Sequence, residues 1–341
     1  MKRMMAWALA GLLAAGTTVF GEMIGGVSES RQVTSVRLGA GALMDVSGTV
    51  EETFRAYYEA TGRHEDQKTA EKYDLDDFGV DAPYASFALQ LSHQWRYAAL
   101  RWNVQYLNVS SDATAKRDYY ISLFDDVEYR GNSYERMKIP KGSDFSMDLT
   151  GAYMDLVLSI TPFTIGEPDA IELTPVLDIG LVAAGGKLDI DAGRARGTYT
   201  YQNPPVDFVV GGDSSSMVGV AAPMVGGGLE LCVGAPDRVR WLSRGTVDYF
   251  AYDGSSKPFS SAREKDIDVS FLTVAAETGL EFPLQQARTL SLGVRFQMMN
   301  LEGDIKSHER EKSRIIAAHE RFDKSIDFDI SMLMAYIGLK F

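Results

Sequence analysis

Residues 331 to 341 read Ser-Met-Leu-Met-Ala-Tyr-Ile-Gly-Leu-Lys-Phe. Successive side chains of an extended chain point to opposite faces, so Leu333, Ala335, Ile337, Leu339 and Phe341 share one side, and Met332, Met334, Tyr336, Gly338 and Lys340 the other. The first face is wholly apolar. The second carries a lysine and an aromatic hydroxyl, which a hydrocarbon medium would not accept along its whole length. This is the pattern of a strand set between an apolar exterior and a polar interior.

The alternation recurs upstream. Leu290, Leu292, Val294, Phe296 and Met298 oppose Ser291, Gly293, Arg295 and Gln297, and Leu272, Val274, Ala276, Leu280 and Phe282 oppose Thr273, Glu277, Gly279 and Glu281. Val239, Trp241, Ser243, Val247 and Tyr249 stand against Arg238, Arg240, Arg244, Thr246 and Asp248, while Val225 to Val233 alternates through Gly226, Gly228, Glu230 and Cys232. Ile171 to Leu181 and Ala152 to Ile160 repeat it, although Pro175 interrupts the first and suggests a bulge. Ala85 to Leu91 and Ala98 to Tyr106 form a hairpin turning near His93 to Trp95, with Trp102 and Tyr106 as interfacial aromatics. The first strand is Val36 to Met44.

Short connections near residues 93–95, 162–169, 235–237 and 283–288 alternate with long polar ones. Glu51 to Ala60 reads as a short surface helix or a continuing strand, Tyr119 to Phe124 as an extra short strand, and Ile305 to Phe322 as a helical, solvated cap.

The repeated strands and the strand ending at Phe341 resemble small bacterial outer-membrane β-barrels. That resemblance implies an all-β chain: a single closed antiparallel transmembrane β-barrel of about ten strands, or about twelve if the long excursions hide a further pair, with short periplasmic turns and long extracellular loops. It also implies that Ile337, Leu339 and Phe341 carry the signal read by the outer-membrane assembly machinery, and that lipids and lipopolysaccharide are partners. The glycine-rich inner face, with Gly39, Gly41, Gly180, Gly228, Gly279, Gly293 and Gly338, suits a narrow interior better than a soluble sandwich.

Met1 to Gly21 has a basic head, an apolar run and small residues before a cleavage point, so residues 1–21 read as a secretory signal peptide and 22–341 as one membrane domain. Cys232 is the lone cysteine, which excludes an intramolecular disulfide and points to a buried thiol. With 34 Lys plus Arg against 47 Asp plus Glu, the chain is poorly suited to nucleic acid.

Parity assigns Arg37, Arg101, Asp155, Glu172, Asp178, Glu230, Arg240, Arg244, Asp248, Glu277, Glu281 and Arg295 to the lumen. Charges of both signs in a confined space should pair. The function expected is therefore structural, or a narrow porin-like channel for small solutes. A surface adhesin or receptor is the second class and a loop-borne hydrolase the third. His64, His93, His308 and His319 have no matched serine or carboxylate constellation, Asp74, Asp76 and Asp77 lack the glycine of a calcium loop, and no cofactor or metal is implied.

Overall fold

The computed structural model describes residues 33–60, 63–81, 83–95, 97–121, 127–129, 132–134, 136–167, 170–202, 205–256, 265–284, 288–307, 310–313 and 317–341. Residues 1–21, read above as a signal peptide, lie outside the described residues. In chain order the strands are β1 (Val33–Ala60), β2 (Arg63–Asp74), β3 (Tyr84–Gln94), β4 (Ala98–Thr114), β5 (Tyr119–Ile121), β6 (Val127–Tyr129), β7 (Asn132–Tyr134), β8 (Arg136–Ile139) and β9 (Asp144–Ile160). They continue as β10 (Ile165–Glu167), β11 (Ile171–Asp191), β12 (Gly197–Gln202), β13 (Pro205–Val210), β14 (Asp213–Val233) and β15 (Arg240–Ser256). The last four are β16 (Lys265–Pro283), β17 (Thr289–Ser307), β18 (Arg310–Ser313) and β19 (Ala317–Lys340). A 3-10 helix, Leu75–Phe78, follows β2 and ends where Gly79 turns left-handed at φ 71°.

A 13-stranded sheet runs β18-β19-β17-β16-β15-β14-β11-β9-β4-β3-β1-β2, with β10 paired to β11 and a further pairing of β19 with β1 that turns the sheet into a ring. The β1 to β19 ladder extends from Ser35 opposite Lys340 to Glu59 opposite Ala317. Its one irregularity lies between Leu43 and Asp45. At the Phe341 end, here called the lower rim, Phe341 and Thr34 exchange backbone hydrogen bonds of 2.9 and 3.0 Å.

The expectation of a single closed barrel of about ten or twelve strands is corrected by this topology. The main sheet has 13 strands, and four-stranded (β12-β13-β8-β5) and two-stranded (β6-β7) sheets are added to it. The four-stranded sheet includes a parallel pair, β8 with β13. Of the two readings of Glu51 to Ala60 the continuing strand holds, since β1 runs on to Ala60; beyond it, stretches read as polar connections are strands, with β2 pairing back along β1, and β17 and β19 continuing as a ladder up to Lys306 opposite Asp323. The helical cap expected over Ile305 to Phe322 is also corrected, since its described residues belong to β17, β18 and β19. Pro175 makes no bulge. The register passes through it unbroken, with Pro175 opposite Leu229, and the β9 ladder begins only at Leu177, so one edge there tolerates a missing N–H.

The long strands share a polarity that inverts partway along their length. On β16 the outward residues are Asp266, Asp268 and Ser270, then Leu272, Val274, Ala276, Thr278, Leu280 and Phe282; the inward ones are Ile267, Val269 and Phe271, then Thr273, Ala275, Glu277, Gly279 and Glu281. On β19 the outward series changes from Ser325, Asp327, Asp329 and Ser331 to Leu333, Ala335, Ile337, Leu339 and Phe341. β9 turns from Asp144, Ser146 and Asp148 to Met154, Leu156, Leu158 and Ile160, and β4 from Asp112, Ser110 and Asn108 to Tyr106, Val104, Trp102 and Leu100. The register sets these changes at neighbouring levels: Tyr249 faces Leu272, and Met298 faces Ser331. Every exposed large hydrophobic among the described residues lies in this lower band or in the turns beneath it.

Above the band the sheet behaves as in a soluble protein, apolar inside and polar outside. Leu43, Val46, Val109, Phe145, Met147 and Ile190 point inward there and pack in one cluster with Tyr119, Ile121, Met137, Ile139 and Val209 of the small four-stranded sheet. That sheet therefore lies against the inner face of the ring. Glu52 of β1 ties it in, 3.9 Å from Arg136 of β8 and 3.2 Å from Lys324 of β19.

Candidate functional site

Below the apolar cluster the interior is charged. The twelve lumen candidates alternate with the outward band, on the parity of the buried residues Asp155, Asp178 and Glu281. Three groups of contacts organise them. Nearest the lower rim, Glu281 is 2.7 Å from Arg240 and also pairs with Lys340. Next, Arg37 donates to Glu277 at 2.5 Å and to Gln90 at 3.4 Å, and its guanidinium lies 4.9 Å from the Tyr336 ring centre. In the third, Asp178 accepts hydrogen bonds from Arg101 at 2.8 Å, Ser159 Oγ at 2.5 Å and Arg244 at 3.3 Å, while Arg244 reaches Glu230 at 3.6 Å.

Arg240 with Glu281, Arg37 with Gln90, Asp178 with Ser159 and Arg244 with Glu230 are partners on adjacent strands, while the other ion pairs join strands that are not neighbours in the sheet. Arg101 is on β4, Asp178 on β11 and Arg244 on β15, so one carboxylate gathers two cations from different parts of the wall. Gln105 of β4 donates to Gln297 of β17 at 2.9 Å, with both side chains buried. Just above, the rings of Tyr153 on β9 and Phe271 on β16 stack with centres 5.8 Å apart. The interior is thus bridged from wall to wall.

Tyr336 fits because of two glycines. A Cβ on Gly279 would lie 2.6 Å from the Tyr336 hydroxyl, and one on Gly293 would collide with it. The ring consequently folds across both strands towards Glu277 and Arg37.

Asp155 is held by Asn103 Nδ2 at 2.5 Å. Arg295, Glu172 and Asp248 make no carboxylate–cation contact among the described residues; Glu172 faces Cys232 across the β11 to β14 ladder. Reading only charged residues from the sequence missed Gln90, Asn103, Gln105, Ser159, Gln297 and Tyr336 as members of this network, and Lys340, though charged and on the polar face, was left out of the lumen set. Their signal was present, since each shares the parity of the charged set.

Titrating groups of the upper region are displaced from their ordinary values, Asp118 and Tyr73 among them. Hydrogen bonding to Lys138 lowers the Asp118 carboxyl, with the two 2.6 Å apart. Burial, followed by the nearby charge of Glu52, pushes the Tyr73 hydroxyl up.

The remaining candidates do not converge on chemistry. His93 sits on β3 rather than in a turn, with Nδ1 2.9 Å from Thr34 Oγ1 and its ring edge-on to Trp95. His308 lies outside the described residues, and only the backbones of His64 and His319 are described. No group of three or more His, Cys, Asp or Glu is placed to hold a metal among the described residues, Asp74, Asp76 and Asp77 included.

No protein-family model matches the chain, and comparison with curated proteins finds no match. Solved structures do resemble it. The outer membrane protease OmpT from Escherichia coli aligns at 12% identity over 91% of this chain and 96% of its own, with a TM-score of 0.38. The β domain of the Bordetella autotransporter BrkA aligns at 10% identity over 87% and 99%, TM-score 0.26, and the P. putida toluene transporter TodX at 9% over 92% and 90%, TM-score 0.22. The similarity is to outer-membrane β proteins at low identity, and scores this low carry no argument about activity, substrate or site.

Proposed function

We propose that this chain is an integral outer-membrane protein whose ring spans the bilayer with its lower band, and whose cross-bridged interior makes it structural rather than freely conducting. The observation that carries this reading is the inversion of polarity. Leu333 to Phe341, Leu290 to Met298 and Leu272 to Phe282 are each about nine to eleven residues long, the length a tilted strand needs to cross hydrocarbon. A ring with an apolar exterior at one level and a polar exterior above it matches a bilayer edge. An apolar belt of that size in water would drive aggregation instead.

Occlusion is supported by the bridges across the interior and by the apolar cluster above them. Buried, paired charges leave little room for hydrated ions. Outer-membrane lipids and lipopolysaccharide are the partners this reading implies, with the terminal segment Ile337, Leu339 and Phe341 as the part offered to the assembly machinery.

Planar-bilayer recording of the purified mature chain tests the reading. Stable insertion with no large conductance steps is the expected result. Large, long-lived steps would replace the structural role with a pore, and failure to insert at all would remove the membrane assignment.

A further inference from the structure

One cavity in the charged layer has features that the ion-pair network does not use. Its volume is about 30 Å³, and Arg37, Gly39, Ala88, Asn103, Gln105 and Arg295 contribute to its lining. Four buried polar atoms of that lining have no protein partner: Nε of Arg37, Nε of Arg295, Oδ1 of Asn103 and Oε1 of Gln105. Asn103 is 6% and Gln105 3% exposed, so bulk water does not solvate these amides. A buried polar group left unpaired is costly, and four around one small space point to an occupant that satisfies them together.

The balance of the lining selects that occupant. Arg37 and Arg295 are offset by Glu277, which shares the lining, and by Asp155, which holds the Asn103 amide, so the space favours neither sign of charge. Two of the four positions are N–H donors and two are amide oxygens. The Asn103 amide is not free to turn and alter that count, because its Nδ2 is committed to Asp155. An anion would meet the two oxygens, and a cation the two guanidinium groups. What fits is a neutral molecule that accepts two hydrogen bonds and donates two. At this volume the molecule with that capacity is water, and the four atoms saturate a single one.

We propose that this cavity binds one water molecule as a fixed part of the fold, accepting from Nε of Arg37 and of Arg295 and donating to Oδ1 of Asn103 and Oε1 of Gln105. It ties β1, β4 and β17 together across the interior, and links the Arg37 to Glu277 pair with the Gln105 to Gln297 bridge. The site depends only on the interior geometry and holds whether or not the ring conducts.

Gly39 makes the proposal testable by sign. A methyl group there would enter the cavity, with its nearest neighbours, Ala88 Cβ and the Ala335 carbonyl, at 3.4 and 3.6 Å, which is ordinary contact. Filling a dry space and removing a strand glycine should stabilise the chain. Displacing a water bonded four ways should destabilise it, because four polar groups lose their partner.

The test uses the mature chain in detergent micelles. In the wild type, cross-relaxation between water and the side-chain amide protons of Asn103 and Gln105 should carry the sign of a molecule held for longer than nanoseconds. Oxygen-17 relaxation dispersion of the solvent, which counts long-lived internal waters, should fall by one water in Gly39→Ala, and the thermal midpoint should fall with it. Gly39→Ser should lose the same water with a smaller drop in midpoint, since its hydroxyl takes over part of the hydrogen bonding. Should the Gly39 variants fail to fold, the wild-type cross-relaxation decides alone. Its absence, an unchanged water count in folded Gly39→Ala, or a raised midpoint in that variant would each overturn the proposal.

Discussion

Replacing Asp178 by alanine should be among the most damaging single changes in the interior. Its carboxylate has 0% side-chain exposure and meets Arg101 at 2.8 Å and Arg244 at 3.3 Å, whose side chains are only 13% and 18% exposed. Removing it leaves two cations facing each other in a confined space, with Ser159 Oγ also losing its acceptor. Breaking a buried pair by deleting one partner costs about 3–5 kcal/mol. The slight solvent access of both arginines places the expected loss near the lower end, about 3 kcal/mol. Asp178→Asn, which keeps the shape and one acceptor oxygen, should lose less. Adding Arg244→Met to Asp178→Ala should recover part of the loss, because one stranded charge goes with it. Urea unfolding of the chain from lipid vesicles, followed through Trp102 and Trp241 on the outer face, measures these differences. A loss below about 1 kcal/mol for Asp178→Ala would refute the reasoning, since it would mean that the interior charges are solvated almost as in bulk water.

Two further changes probe the outside of the ring. Leu292→Arg, at an exposed position within the apolar band, should cost about 2–4 kcal/mol in the same vesicle assay, whereas Glu302→Arg on the outward face of the same strand above the band should be nearly neutral. Asp213 at the top of β14 lies directly opposite Asp191, and burial together with that neighbour raises its pKa. A raised carboxyl pKa makes folding less favourable as pH rises through the titration. Asp213→Asn should therefore stabilise the chain slightly at neutral pH, by well under 1 kcal/mol after solvent screening, and the gain should vanish in acid; a gain that grows in acid contradicts the assignment.

The sequence was legible where the alternation ran apolar against polar with the apolar side outward. Leu333 to Phe341 and Leu290 to Met298 were found because five apolar residues in a row occupied one parity. Above the band the same strands continue with the opposite assignment, as in Asp266, Ile267, Asp268 and Val269, and a search for greasy outer faces reads such stretches as charged loops. Charge density was also mistaken for helix over Ile305 to Phe322, although Ile305 is 4% exposed and its neighbours Asp304 and Lys306 point outward. Of the small sheet only β5 was expected, as the short strand over Tyr119 to Phe124, and its partners escaped detection for a different reason. β8 is four residues long, too short for periodicity to register, and its pairing with β13 joins segments far apart in the chain.

Parity groups these charges on one strand face, but it does not give their partners. Arg101 and Asp178 are 77 residues apart, and Gln105 and Gln297 are 192 apart. The first pair spans one intervening strand, β9, and the second crosses the ring, and neither meeting is encoded by a local pattern. The neutral amides and Tyr336 were overlooked because a strand face was searched for charge rather than for hydrogen-bonding capacity.

Single-cysteine labelling along the outward face of β16, in a Cys232→Ser background, tests the central claim most directly. A fluorophore at positions 272, 274, 276, 278 and 280 should be quenched by an acyl-chain quencher and shielded from a water-soluble one, while labels at 266, 268 and 270 should show the reverse. Equal access of the water-soluble quencher to both sets would contradict a bilayer edge between Ser270 and Leu272.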